Sequence, residues 1–197
     1  MKKSEVNPLK ANRWVGAASA KVANVILFNA AWFAILLTQS SLLAPFIVIL
    51  HLLIHFRLMG KGKPELLFIV GVTVVGLFLD QTLFATGVFN LAGEPSLAPL
   101  WLTCLWPVFA TTLMHAFDWL QSRVILSSVV GGVGGCLSYI AGVRLTAIDF
   151  GSPLWGPIII AALWVVIFPL YLKISGQILD ASNNEPKVDS LGERRPS

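Results

Sequence analysis

Few side chains in this sequence are equipped for chemistry, and the most informative are Asp80 and Gln81, which interrupt an apolar stretch beginning at Glu65. If that stretch is a helix, Asp80 lies 15 residues along it, about 22 Å at 1.5 Å per residue. A carboxylate at such a depth in an apolar environment is costly and marks a functional site by default. Arg144, at the far end of a later apolar stretch, is the predicted ion-pair partner of Asp80. Such a pair would either clamp two helix ends or form part of a site for a lipid headgroup or another amphiphile. Asp80, Gln81, Tyr139 and Arg144, with Trp101 and Trp155, are therefore the candidate ligand-binding residues.

The histidines offer a second possibility. His51 and His55 share a helix face at i, i+4, and His115 falls at a similar depth to His55, with Asp118 close behind. His51, His55, His115 and Asp118 are the right types for a four-ligand metal site. Placement near the C-terminal end of a helix accounts better for them, because the dipole and the headgroups favour histidine and Arg57 there, and no metal is assigned. Three histidines in all are too few for a membrane di-iron oxygenase. No catalytic group is assigned, since Cys136, Ser138 and Tyr139 have no histidine at their depth to act as base, and no cofactor is called for. Cys104 and Cys136 lie in apolar runs, outside any disulfide framework or CxxC motif.

The elements that must position these residues belong to a membrane. Of 197 residues 56% are hydrophobic and 12% charged, and the mean hydropathy is +0.77. That is about half the charge a soluble domain carries. Six apolar runs approach the roughly 20 residues needed to cross the hydrocarbon core: 22–38, 42–58, 65–84, 100–117, 124–143 and 153–174. They lack the period-two pattern of barrel strands, so the predicted fold is an all-α polytopic bundle of six transmembrane helices. Thirteen of the 14 basic residues fall before the first run, at or within the second and fourth connections, or at the end of the sixth run and after it, which leaves Arg144 alone on the other side. By the positive-inside rule both termini are cytoplasmic, and topology rather than nucleic acid explains a net charge of +4. The predicted organisation is a basic cytoplasmic segment over 1–21, a membrane domain over 22–174 and a disordered cytoplasmic tail over 175–197.

Within the fifth run, Ser127, Gly131 and Gly135 form one small-residue stripe and Gly134, Ser138 and Gly142 another. Such stripes let helix backbones approach closely, with a dimer face or ligand groove as alternatives. Neither GxGxxG nor GxxxxGK[ST] spacing is present, which excludes a nucleotide loop. Trp14, Trp101, Trp119 and Trp155 suit interfacial belts, whereas Trp32, Trp106 and Trp164 lie deeper, and Pro107 should kink the fourth helix. Gly87-Val88 and Gly142-Val143 are each followed by Pro-Leu-Trp, at Pro99 and Pro153. This faint echo predicts two similar hairpins side by side.

The stretches Asp80 to Phe89, Pro99 to Leu102 with Leu105-Trp106 and Phe109, His115-Ala116-Phe117 with Trp119-Leu120, and Ser138 to Gly142 resemble a family of bacterial inner-membrane proteins of unknown function and about this length. Members are often encoded near fatty-acid-modifying enzymes of the cyclopropane synthase type, and the resemblance implies a role near lipid metabolism without naming an activity. Three functions are compatible with the residues. The first is a non-enzymatic factor that binds membrane lipids, another inner-membrane protein or a second copy and supports envelope lipid metabolism. The others are a small transporter of an amphiphile and an intramembrane lipid-modifying enzyme.

Overall fold

The computed structural model describes residues 8–91 and 97–184. Seven α-helices run through it: α1 (Pro8–Thr38), α2 (Leu43–Leu58), α3 (Lys63–Ala85), α4 (Leu100–Thr103), α5 (Leu105–Leu113), α6 (Val124–Leu145) and α7 (Trp155–Asn184). Four of them, α1 from Ala18, α3, α6 and α7 as far as Ser182, are long and apolar enough to cross a membrane. Their outward faces are apolar too: Leu37, Phe46, Leu53, Phe78, Ile125 and Val166 are all at least 60% exposed, a surface far too apolar for water. The chain is a multi-pass, predominantly helical membrane protein.

The other two predicted spans are shorter than expected. α2 has 16 residues. The run from Leu100 divides at Cys104 into α4 and α5, of 4 and 9 residues. Pro107 explains the break, because its ring has no N–H to give the carbonyl of Thr103 and collides with it. A helix this short ends inside the bundle, where its last carbonyls would lack partners. Neighbouring elements provide them: Asn24 Nδ2 donates to the Thr111 carbonyl at 3.2 Å, Gln121 Nε2 to that of Leu113 at 3.4 Å, and Lys61 Nζ to that of Met114 at 2.7 Å. The amide of Phe117 closes on the Thr112 carbonyl. α5 is thus the hub of the bundle, with Val108 and Leu113 fully buried and α1, α2, α3 and α7 packed around it.

α3 ends in a Schellman turn. Gly87 takes φ +72, its amide donates to Phe84 and that of Val88 to Leu83, an arrangement a side chain would strain. The chain then forms β1 (Phe89–Leu91), which pairs antiparallel with β2 (Ile148–Phe150) in the register Phe89 to Phe150, Asn90 to Asp149 and Leu91 to Ile148. A two-stranded ladder therefore joins the ends of α3 and α6, an addition to the expected all-α bundle. The two hairpins do lie side by side, but the sequence echo misplaces them: Gly87 terminates α3, whereas Gly142 is inside α6.

The small stripes of α6 divide between two tasks. A Cβ at Gly131 would stand 2.5 Å from Phe168 Cβ and 2.7 Å from the Trp164 carbonyl, and one at Gly135 would enter the Trp164 ring. These glycines let α6 lie against α7, the most extensive helix contact in the protein. Gly134 and Gly142 meet nothing within 4 Å, so the second stripe is not a packing face. Both ends of the helical domain also extend past their predicted limits. Residues 8–21 belong to α1, and α7 continues through 175–184 because Ser175 is buried and Ile178 and Leu179 still pack on the core. The rest of the expected tail, and residues 92–96 of the long connection, lie outside the described residues. Cys104 and Cys136 are unpaired.

Candidate functional site

At the end capped by β1 and β2, helices α1, α3, α4, α5, α6 and α7 surround a partly open cavity of about 90 Å3. Its walls are rich in aromatics, including Trp32 from α1, Trp101 from α4, Trp106 and Phe109 from α5, Tyr139 from α6 and Trp164 from α7. The indoles of Trp106 and Trp164 stack at 5.8 Å with an angle of 3°. Gly76 of α3 makes room for Trp106, because a Cβ there would enter the indole. This places the indole nitrogen one helical turn away, against Asp80.

Asp80 is the cavity's one carboxylate among the described residues and is 1% exposed. Its Oδ2 accepts a hydrogen bond from Trp106 Nε1 at 2.7 Å, while its Oδ1 has no partner among the described residues. The expected pair with Arg144 does not form: Arg144 is exposed, and Asp80 is held by an indole instead. Tyr139 and Trp101 line the cavity as part of the anticipated set. Gln81 faces another way, exchanging hydrogen bonds of 3.2 Å with the carbonyl and amide of Ala98 and so fastening the connection before α4. Trp155 is 61% exposed on the outer surface. Ser138 and Gly142, from the unpacked stripe of α6, line the cavity and keep that side open.

A second polar cluster lies at the opposite, basic end. Glu65, in the first turn of α3 after Pro64, sends Oε2 back to the amide of Lys61 at 2.5 Å, in the manner of a capping box. Its Oε1 meets both His55 Nε2 and His115 Nε2 at 2.8 Å. His51, one turn deeper, bonds Thr111 Oγ1 at 3.1 Å and stacks on His55. Asp118, anticipated beside the histidines, turns instead to Lys21 at 2.6 Å, where both side chains are about a third or more exposed. In the neighbouring loop, burial draws the Lys61 ammonium below the ordinary lysine range, against the opposing pull of Glu65 and Asp118.

The match to the family described as "Protein of unknown function (DUF2878)" covers residues 21–170. The chain belongs to the DUF2878 family. That match includes all the residues of both clusters, from Lys21 to Trp164. No curated protein and no solved structure matches the chain.

The sequence reading missed Glu65, Trp106, Trp32 and Trp164 as site residues. Glu65 resembles an ordinary first-turn acid, and only the meeting of three elements distinguishes it. Trp106 had a usable signal in its Trp-Pro pairing, which marks a break where freed backbone and a ring must be accommodated.

Proposed function

We propose that this DUF2878 member binds an amphiphile of the membrane in the aromatic cavity, with Asp80 engaging its polar head, as a non-enzymatic factor in envelope lipid metabolism. The observation that carries the reading is the unpartnered Oδ1 of a carboxylate 1% exposed in a cavity wall. A buried carboxylate oxygen left without a donor is costly, and a ligand bearing N–H groups removes that cost. Aromatic faces on several sides attract a cation as well, so the favoured head is a protonated amine with an apolar remainder along Phe28, Leu36 and Leu105.

The proposed setting is the bacterial inner membrane, with six crossings and both termini cytoplasmic. In it α2 and the α4–α5 pair cross as short segments, their backbone ends shielded by protein, the condition under which non-helical backbone is tolerated at membrane depth. The cavity then faces the outer leaflet. The test is native mass spectrometry of the full chain in nanodiscs containing equal phosphatidylethanolamine and phosphatidylglycerol. The amine-headed lipid should be retained at least about tenfold over the other, equivalent to 1.4 kcal/mol, and Asp80→Asn should abolish the preference. Equal retention of both lipids by the native protein overturns amine recognition.

A further inference from the structure

We propose that His55, Glu65 and His115 form a site for a divalent transition-metal ion of the zinc class, separate from the amphiphile cavity. The three residues come from the end of α2, the first turn of α3 and the segment after α5, yet their ligand atoms all lie within 4.8 Å of one another. They are 0%, 1% and 7% exposed respectively for His55, Glu65 and His115, so the convergence is built into the core. Two imidazole nitrogens and one carboxylate oxygen are the donor set of catalytic zinc centres, which leave a fourth position open. The absence of thiolate among the donors favours a borderline ion over Cu(I).

The surroundings suit an ion. Lys61 N–H fixes Oε2 at 2.5 Å and leaves Oε1 directed at both imidazoles, the outer-shell hydrogen bond that orients a ligating carboxylate. Metal–donor bonds near 2.0–2.2 Å separate tetrahedral donors by about 3.4 Å, so the two 2.8 Å contacts need to open by only about half an ångström. No Lys or Arg side chain forms a salt bridge with Glu65 among the described residues. The ammonium of Lys61 is instead bonded to the Met114 carbonyl. A divalent ion would supply the positive charge that a buried carboxylate requires. His51 is held by Thr111 and stands outside the donor set.

The competing structure is a metal-free clasp in which both imidazoles donate to Glu65. To separate the two, the full chain without a histidine tag is purified in mild detergent, stripped with chelator and titrated with Co2+, whose tetrahedral complexes absorb visible light. One equivalent should bind with visible bands and be displaced by Zn2+. His55→Ala or His115→Ala should weaken binding at least about a hundredfold, since loss even of outer-shell partners costs 10–100-fold, whereas His51→Ala should leave it nearly unchanged. Circular dichroism establishes that each variant is folded. A folded native protein that gives no bands in excess Co2+ overturns the site whatever the variants do, as does unchanged binding in folded His115→Ala. Neither result bears on lipid retention at Asp80, so the two proposals stand or fall separately.

Discussion

Asp80 and Trp106 form a two-residue unit in which each needs the other. The indole N–H donates to the carboxylate at 2.7 Å, so Trp106→Phe leaves a buried acceptor bare and should lower stability by about 1–3 kcal/mol in reversible unfolding from mixed micelles. Asp80→Asn keeps an oxygen for the indole and removes the charge, so it should cost less than Trp106→Phe while losing the ligand. Equal stability of native protein and Trp106→Phe would show that the hydrogen bond does not hold the indole. Asp80 was legible from the sequence because a carboxylate deep in an apolar run has few uses. Its partner was not, because pairing by opposite charge favours Arg144, whereas burial in a wall of aromatics makes a neutral N–H the available donor.

At the scale of elements, α6 keeps two faces apart. Gly131→Leu or Gly135→Leu places a side chain where Phe168 and Trp164 already stand and should lower the folded yield severely, since overpacking usually costs about 1–3 kcal/mol or more. The same enlargement at Val129 or Val133, both more than half exposed, should be tolerated. Gly142→Leu has space at its Cβ and should fold normally, yet project into the cavity and reduce lipid retention in the nanodisc assay. Similar folded yields for Gly131→Leu and Val129→Leu would remove the packing role of the stripe. The stripe could be read from spacing alone, because small residues at i, i+4 have a direct geometric meaning. Pro107 signalled the interruption of the fourth run, but the partners that let the run divide there could not be read, since the carbonyls of α5 find them only in residues as distant in sequence as Asn24 and Gln121.

At the scale of the whole molecule, the sequence-based crossing count and the described helices meet at α2 and α4–α5. Four helices satisfy a span by length and composition, while α2 and α4–α5 are short enough to be either crossings or buried segments. Chain direction discriminates between these. If both cross, the loop at 97–99 and the turn at Gln39 lie on one side, and Lys61 and Arg123 lie on the other, as the basic asymmetry requires. The fold supplies independent links consistent with that arrangement: the Ala147 amide donates to Gln39 Oε1 at 3.1 Å beside the strand ladder, and Lys21 reaches Asp118 at the basic end. With both native cysteines replaced by alanine, single cysteines at Ser41 and Leu97 should label with a membrane-impermeant maleimide from outside intact cells, whereas cysteines at Lys63 and Ser122 should label only after permeabilisation. If α4–α5 were a buried segment that returned to its own side, Leu97 and Ser122 would label together. That single result would replace six crossings with a bundle in which the hub helix never spans the bilayer.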